Sequence, residues 1–352
     1  MIRRSFLKLV FAVTCLSASS VWAAEAIAQL PISHPHELVF YTRHEGNFDI
    51  YLADADYQIV VNLTRSPADE VRPAWSPDGK RLAFYSTRGG DDESTLYLMD
   101  ADGRHPQWLA QGGPGEAYPV WSPDGQSVIY SSEGRDNIGV YKVDLEGGTK
   151  HHLYDQYAAL VSYSPDGSQV VLESACDNHC DIFVMGANGD DVRRLTFNGL
   201  FDVYPAWSPD GGQIAFMSNR DRFFELYVMD ADCPALPSGC DHVKRLTDNR
   251  DFDGYPVWSP DGGQLLFSSD RKGNFDLYTL NMRCADKPDS CEQSARQLTR
   301  LPMQDSSPAW SPDGQAIAFI SGQEVYVMDA DGNHLRQIMD DVLPDQFVGW
   351  RP

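Results

Sequence analysis

The sequence predicts an all-β fold, a seven-bladed β-propeller, from a recurring phrase, its spacing and the strand-like runs between its copies. Ser-Pro-Asp-Gly occurs six times, each time directly after an aromatic residue. Successive aromatics are separated by 40 to 52 residues, a period typical of a propeller blade of four short strands. These aromatics, with the one in a shortened seventh copy, are Trp75, Trp121, Tyr163, Trp207, Trp258, Trp310 and Trp350.

Each repeat is predicted to contain four strands joined by turns. An apolar run ends at the aromatic residue, and Pro-Asp-Gly forms a tight turn because proline presets φ and glycine accepts a positive φ. A second run, such as residues 213–218, and a third, such as 226–229, follow, and a fourth ends in Leu-Thr. Apolar or alternating runs of four to eight residues bounded by turn residues predict strands.

The number of strands sets the number of blades. The phrase of the innermost strand occurs seven times, whereas the first set of the other three strands, Glu37 to Thr64, has no innermost strand before it. The terminal strand around Phe347 to Trp350 is therefore predicted to complete the first blade and close the ring, which removes exposed sheet edges. Six blades is the alternative, with one terminal set left outside the ring. A single propeller domain is expected over residues 37–352.

The first 24 residues have the layout of a secretory signal peptide, with a basic start, an apolar stretch and small residues after it. Arg3 and Arg4 also fit the twin-arginine export signal, so the general secretory and twin-arginine routes both stay open. Residues 25–36 are expected to form a linker. The predicted location is the periplasm or the outside of the cell.

The cysteines agree with export. After the leader, six cysteines fall into three close pairs, and local bridges are expected because each pair lies within one hairpin. Zinc is the rival interpretation, but it fits poorly, because zinc ligand pairs usually have about two residues between them. The predicted disulfides are Cys176–Cys180, Cys233–Cys240 and Cys284–Cys291.

Composition and charge limit the classes of partner. A hydrophobic share of 42% is that of a globular protein with a sizeable core, so disorder as the main state is excluded. The formal net charge of −23 repels phosphate backbones and argues against a nucleic-acid partner. No segment after the leader approaches 18 apolar residues, so no membrane span is predicted. The oligomeric state is left open.

The six aromatic-Ser-Pro-Asp-Gly phrases resemble those of the TolB-like β-propellers, a family that includes propeller domains attached to some serine peptidases. The resemblance covers roughly residues 37–352. It implies an envelope protein that binds a protein or peptide partner. In the family that this chain resembles, TolB itself is an envelope protein with a small α/β domain ahead of a six-bladed propeller. This chain is expected to lack that domain, because its repeats follow the leader almost directly.

The sequence predicts a non-enzymatic binding scaffold with no catalytic residues and no required cofactor. It contains no Gly-x-Ser-x-Gly elbow, His-Glu-x-x-His helix, phosphate loop or dinucleotide-binding glycine motif. The alternative is a metal-dependent glycan hydrolase or lyase, because some lyases of acidic sugars use similar propellers with a histidine-bound metal. The close histidine pairs, His34 with His36 and His151 with His152, are expected to be solvated rather than metal ligands.

One set of residues is predicted to form a binding site at a mouth of the central channel. An acidic residue stands five positions before six of the seven repeated aromatics. In four of these repeats another aromatic residue follows the acid by two positions. In the alternative interpretation, each acid caps its own turn through nearby backbone N–H groups. The acids are Glu70, Glu116, Asp202, Asp253, Asp305 and Asp345, and the aromatics are Tyr118, Tyr204, Tyr255 and Phe347.

A ring of carboxylates predicts a cationic ligand, either Ca²⁺ or a basic segment of a partner. Calcium is placed at Asp202, Asp253 and Asp305, because carboxylate oxygens suit hard cations. The loop arginines are assigned a structural role instead. Three cross-hairpin ion pairs, Arg43 with Asp49, Arg220 with Glu225 and Arg271 with Asp276, are expected from their proximity in sequence.

Overall fold

The structure, a computed structural model, describes residues 37–44, 46–54, 59–89, 95–111, 119–134, 137–174, 179–233, 240, 243–286, 291–339 and 348–352. They form seven antiparallel sheets of four strands each. The prediction of an all-β, seven-bladed propeller is confirmed, and the six-bladed alternative is wrong. Among these residues the helical segments are two 3₁₀ turns, Met282–Asp286 and Glu292–Ser294. No helix in the described ranges is long and apolar enough to cross a membrane.

Twenty-eight strands make up the blades, and in blades 2 to 7 the strands follow one another in chain order from the channel outward. Their bounds are, for blade 1, β1 Leu38–His44, β2 Asn47–Ala53 and β3 Val60–Asn62; for blade 2, β4 Glu70–Trp75, β5 Arg81–Ser86, β6 Thr95–Asp100 and β7 Gln107–Gln111; for blade 3, β8 Val120–Trp121, β9 Ser127–Gly134, β10 Asn137–Asp144 and β11 Lys150–Tyr154; for blade 4, β12 Ala158–Tyr163, β13 Gln169–Ser174, β14 Asp181–Gly186 and β15 Arg193–Arg194; for blade 5, β16 Asp202–Trp207, β17 Gln213–Ser218, β18 Glu225–Asp230 and β19 Lys244–Arg245; for blade 6, β20 Asp253–Trp258, β21 Gln264–Ser269, β22 Asp276–Asn281 and β23 Arg296–Gln297; for blade 7, β24 Asp305–Trp310, β25 Ala316–Ser321, β26 Glu324–Asp329 and β27 Arg336–Met339; and, at the carboxyl end, β28 Val348–Trp350.

The ring closes between its two ends. Strand β28 pairs antiparallel with β1, with Trp350 opposite Leu38, and so becomes the innermost strand of blade 1. The Arg351 N–H donates to the Glu37 carbonyl over 2.8 Å, and the guanidinium of Arg351 forms a buried ion pair with the Glu37 carboxylate. That guanidinium also lies 5.2 Å from the ring centre of Trp75 in blade 2. The predicted closure is therefore confirmed.

The Ser-Pro-Asp-Gly turn carries its own hydrogen-bond network. In blade 2 the Ser76 hydroxyl donates to the Asp78 carboxylate over 2.7 Å, and Gly79 N–H donates to the Ser76 carbonyl over 2.8 Å. Gly79 has φ +64°, a conformation that favours glycine. The serine hydroxyl holds the pKa of the turn aspartate below its usual range at Asp78, Asp124, Asp166, Asp210 and Asp261.

The repeated tryptophan joins neighbouring blades. In five blades its indole N–H donates to the carbonyl of the residue that precedes the aromatic residue of the previous blade. The same tryptophan thus ends the innermost strand of its own blade and contacts the innermost strand of the preceding blade. The pairs are Trp121 with Ala74 at 3.0 Å, Trp207 with Ser162 at 3.2 Å, Trp258 with Ala206 at 3.1 Å, Trp310 with Val257 at 3.4 Å and Trp350 with Ala309 at 3.0 Å.

We expect Trp258→Phe to lower the free energy of unfolding by about 1–3 kcal/mol more than Trp75→Phe. Both side chains are buried to the same extent. The Trp75 indole N–H has no hydrogen-bond partner among the described residues, whereas loss of the Trp258 indole leaves the Ala206 carbonyl without its donor. Urea unfolding of the two variants measures the difference. Equal losses would show that the inter-blade hydrogen bond adds nothing to ring packing.

The hydrophobic core lies between the blades. Trp207 and Phe216 of blade 5 pack in one buried cluster with Val171 and Ile182 of blade 4. The corresponding cluster between blades 2 and 3 contains Tyr85 among other residues. Because each blade buries one face against each neighbour, no blade has an independent core, and the whole ring is expected to unfold cooperatively.

Two disulfides lie between the third and fourth strands of their blades. Cys233–Cys240 follows β18 and Cys284–Cys291 follows β22, as predicted. Cys180 is also disulfide-bonded, and its predicted partner Cys176 lies outside the described residues. The predicted leader and linker, residues 1–36, lie outside them as well.

Candidate functional site

The strand order assigns every loop to one of two faces. In blades 2 to 7 the innermost strand begins at one face and ends at the Ser-Pro-Asp-Gly turn on the other. We call the first the mouth face; it carries the loops that precede the innermost strands, such as 197–201, and the loops between second and third strands, such as 219–224. The four predicted acids that the structure describes, Glu70, Asp202, Asp253 and Asp305, begin the innermost strands of their blades, so they stand at the mouth face.

A cavity of about 1060 Å³ lies in the central channel, bounded by the innermost strands of blades 2, 4, 5, 6 and 7. Each of these five strands has a register irregularity near its third residue. At four of those third residues φ is positive, between 50° and 59°, which is uncommon for residues other than glycine. Bulges re-aim side chains, and all five third residues line the cavity: Arg72, Leu160, Tyr204, Tyr255 and Ser307.

Aromatic rings continue from the cavity to the mouth face. Tyr204 and Tyr255, both predicted as lining residues, meet edge to face with ring centres 4.6 Å apart. Phe252 lies 5.6 Å from Tyr255, and it also contacts Phe224 at 5.6 Å and Phe275 at 5.3 Å. The other two predicted aromatics, Tyr118 and Phe347, lie outside the described residues.

The described acids differ from the expected open ring because they lie inside the blades. Glu70, Asp202, Asp253 and Asp305 are at most 1% exposed. Three of them form ion pairs with an arginine from the loop between the second and third strands of the same blade: Glu70 with Arg88 at 2.9 Å, Asp202 with Arg220 at 2.8 Å and Asp253 with Arg271 at 2.7 Å. Glu116 and Asp345 lie outside the described residues.

The alternative interpretation, backbone capping, also differs from what is found. The partners of the paired acids are side chains: Asn198 donates to Asp202 and Asn249 to Asp253, each over 2.6 Å. Burial raises the pKa of Glu70, and the neighbouring Arg88 guanidinium opposes that shift.

The ion pairs predicted for the loop arginines are wrong. Glu225 bonds Arg245 at 2.9 Å instead of Arg220, and Asp276 accepts a hydrogen bond from Gln297 at 2.8 Å. The register explains the difference, because Asp202 lies opposite Ser218 and the arginine two residues further on folds back over the innermost strand. A constant offset of 18 residues from acid to arginine in three blades is the sequence signal that identifies these pairs.

Asp305 is the exception among the described acids. Neither of its carboxylate oxygens has a hydrogen-bond partner within the described part of the chain. Burial raises the pKa of Asp305 to about 6. The nearby hydroxyls of Ser321 and Thr299 offset this shift only in part, and neither lies in the geometry of a hydrogen bond to the carboxylate. Asp305 also lines the cavity, so it places an uncompensated buried acid in the channel wall.

The structure does not bring the predicted calcium ligands into one set. Among the described residues no three histidine, cysteine or carboxylate side chains lie close enough together to hold a metal ion, and arginines hold Asp202 and Asp253. His151 is hydrogen-bonded to Asp144 at 2.7 Å, and His152 stacks on Tyr141 at 4.6 Å. His34 and His36 lie outside the described residues. Calcium binding thus stays a prediction from sequence without an assembled site.

Beside the channel, the mouth face carries exposed apolar side chains that the sequence analysis missed. Phe197, Leu200, Phe201 and Phe223, here called the mouth patch, are 37–42% exposed. Their two loops are tied together, because Phe201 N–H donates to the Asn219 side chain at 2.9 Å and Asn219 N–H donates to the Phe201 carbonyl at 3.3 Å.

Comparisons with known proteins agree with this architecture. A family model described as the TolB beta propeller domain matches residues 31–158 and 156–236, more than half of the chain. The solved TolB of Acinetobacter baumannii is 20% identical with a TM-score of 0.58, covering 96% of this chain and 86% of that one. An oligogalacturonate lyase solved in complex with manganese is 16% identical with a TM-score of 0.63, covering 86% and 84%. At these identities the likeness is one of fold.

A curated relative matches over a shorter stretch. The chain is 41% identical over 75 residues to a Bacillus subtilis (strain 168) protein named Uncharacterized peptidase YuxL. The aligned segment is 21% of this chain and 9% of that relative, so the chain spans less than a tenth of the curated relative's length.

Proposed function

This chain belongs to the TolB beta-propeller family, and from that premise we propose that it is an exported, non-enzymatic binding scaffold of the cell envelope. It engages a protein or peptide partner through the mouth face of the propeller. The observation that carries the proposal is the mouth patch, which lies beside an aromatic-lined cavity on the same face.

The mouth patch has the character of a protein-binding surface. Four large apolar side chains on two hydrogen-bonded loops are exposed to solvent, and exposed apolar surface of this kind marks interaction sites. Aromatic side chains are the residue type that contributes most at protein interfaces. The net charge of −23 favours a basic partner and accelerates its encounter.

The disulfides support an oxidising compartment. Cys233–Cys240 and Cys284–Cys291 close short loops, and such bridges persist in the periplasm or outside the cell. This agrees with the leader predicted over residues 1–24, by either export route.

The alternative is a metal-dependent glycan hydrolase or lyase, and it draws on the fold likeness to oligogalacturonate lyase. An activity screen on acidic polysaccharides, with and without a chelator, separates the two functions. Turnover that the chelator abolishes would overturn the binding scaffold in favour of the enzyme.

We expect the immobilised protein to retain an envelope protein that the double variant Phe201→Ser/Phe223→Ser fails to retain. The changes remove the apolar contacts of the mouth patch, and their exposure keeps the cost in folding stability small. The control is Leu335→Ser, an equally exposed apolar residue in the turn between β26 and β27, on the opposite face. Retention is measured by quantitative mass spectrometry of eluates. Equal retention by the wild type and the double variant would contradict the proposal.

A further inference from the structure

Three blades share a receptor for a guanidinium group. In blade 5 the Asp202 carboxylate accepts from Nη2 of Arg220 at 2.8 Å, and the Ser218 hydroxyl accepts from its Nε at 3.0 Å. Beneath the guanidinium lie the rings of Phe216 and Tyr227, 5.1 and 4.7 Å away. The receptor thus consists of a carboxylate, a serine hydroxyl and two stacked rings.

Blades 2 and 6 repeat this receptor with the same geometry. In both, the arginine comes from the loop between the second and third strands, and each group contacts it at a similar distance. The groups are Glu70, Ser86, Phe84 and Tyr97 around Arg88, and Asp253, Ser269, Phe267 and Tyr278 around Arg271.

Blade 7 has the receptor groups, but the loop between its second and third strands, Gly322 and Gln323, contains no arginine. Asp305 lies opposite Ser321 in the register, as Asp202 lies opposite Ser218. The rings of Phe319 and Tyr326 stack 5.6 Å apart, close to the 5.8 Å between Phe216 and Tyr227. The position of the arginine, 18 residues after the acid, is occupied by Gln323.

The loop that would cover this receptor is also shorter. Only Gly322 and Gln323 connect β25 to β26, whereas six residues, 219–224, connect β17 to β18. Gly322 adopts φ +60° in this tight turn. Gly322, Gln323 and Asp305 all line the cavity, so the receptor of blade 7 borders the channel.

An unpaired buried carboxylate is unfavourable for folding, and buried polar groups are otherwise almost always satisfied. Asp305, 1% exposed and without a hydrogen-bond partner in the described ranges of the chain, is therefore the group in the channel wall that a ligand would satisfy. The repeat itself indicates the chemistry of that ligand, since the equivalent acids of blades 2, 5 and 6 all bind a guanidinium.

We propose that blade 7 binds the guanidinium of an arginine side chain that a partner inserts into the channel. Asp305 accepts from the terminal nitrogens, Ser321 accepts from Nε, and Phe319 and Tyr326 lie against the planar group. A lysine fits less well, because its ammonium has neither the planar face nor the fork of donors. This inference deepens the proposed function and rests on it for the partner, although the receptor can be tested without one.

The first test uses three peptides that differ in one side chain: acetyl-Ala-Arg-Ala-amide, its lysine counterpart and its citrulline counterpart, which is neutral but nearly isosteric with arginine. We expect the arginine peptide to bind in the millimolar range, with a Kd of about 1 mM, the lysine peptide more weakly and the citrulline peptide not at all. Titration calorimetry measures all three. No binding of the arginine peptide up to ~10 mM, or equal binding of arginine and citrulline, would overturn the proposal.

Two variants test the residues. Asp305→Asn is expected to weaken binding of the arginine peptide about tenfold or more, because a charge-assisted hydrogen bond is lost. Gln323→Arg is expected to restore the internal arginine of the other blades, raise the melting temperature and abolish peptide binding. Gln315→Arg adds the same charge in an exposed turn on the opposite face. It is expected to change neither the melting temperature nor the binding of the arginine peptide. A Gln323→Arg protein that binds the peptide like the wild type would contradict the proposal.

The outcomes also separate this inference from the proposed function. If the arginine peptide binds through Asp305 but no envelope protein depends on the mouth patch, the receptor stands and the scaffold role fails. If an envelope protein depends on the mouth patch but the peptide does not bind, the receptor fails and the scaffold role stands.

Discussion

Arg351→Ala is expected to lower the free energy of unfolding by about 3–5 kcal/mol, a large part of the stability of a typical protein. The Arg351 guanidinium pairs with the Glu37 carboxylate, and both side chains are at most 8% exposed. Removing one partner leaves the other charge buried and unpaired. The loss falls where β28 closes the ring, and it also removes the contact with Trp75 in blade 2.

The matched control is Lys80→Ala, which breaks an ion pair between exposed side chains, Lys80 and Asp78, at 3.7 Å. Such pairs contribute about 0–1 kcal/mol because solvent screens them. Urea unfolding followed by tryptophan fluorescence measures both variants. If Arg351→Ala loses no more stability than Lys80→Ala, ring closure does not depend on the buried ion pair.

Asp202→Asn and Asp305→Asn are expected to change stability in opposite directions at pH 8. Asp202→Asn removes the partner of Arg220 and is expected to cost about 2–4 kcal/mol. Asp305→Asn removes a buried carboxylate that no described residue hydrogen-bonds, so it is expected to stabilise the free protein by about 2 kcal/mol. The two residues occupy the same position in their blades, so each serves as the control for the other.

The effect of Asp305→Asn depends on pH. Because burial raises the pKa of Asp305 to about 6 in the folded state, from about 4 in the unfolded chain, the folded protein binds the proton more tightly. The wild type therefore loses stability as the pH rises through about 6 and regains it below about pH 4. The stabilisation by Asp305→Asn is expected at pH 8 and is expected to vanish near pH 4.

Melting temperatures of the wild type and both variants at pH 4 and pH 8 decide this prediction. Destabilisation by Asp305→Asn at pH 8, comparable with that of Asp202→Asn, would show that Asp305 has a partner in the folded protein. The inference of a receptor that a ligand completes would then lose its physical basis.

The sequence was sufficient to predict the blades because each blade carries its boundary signal locally. The turn after Trp258 needs only four adjacent residues, and the seventh copy at Trp350 needs only its spacing and the unpaired first set of strands. Two described disulfides were predictable for the same reason, since Cys233 and Cys240 lie within one loop. Ring closure followed from counting, because an open propeller would expose two sheet edges.

The site was less predictable because it depends on contacts across strands. Sequence proximity placed Arg220 beside Glu225, whereas the strand register carries it back to Asp202, 18 residues earlier. The positive φ values that direct Tyr204 and Tyr255 into the channel arise from bulges that no local residue pattern announced. Only the comparison of equivalent positions around the ring shows that Gln323 replaces an arginine.

The central claim is that a partner docks on the mouth face and inserts an arginine beside Asp305. Competition tests it most directly: the envelope protein retained by the immobilised wild type is challenged with the arginine peptide and with the citrulline peptide. The account predicts that the arginine peptide releases the retained protein in a dose-dependent way and that the citrulline peptide does not. Retention unaffected by either peptide, or equal release by both, would contradict it.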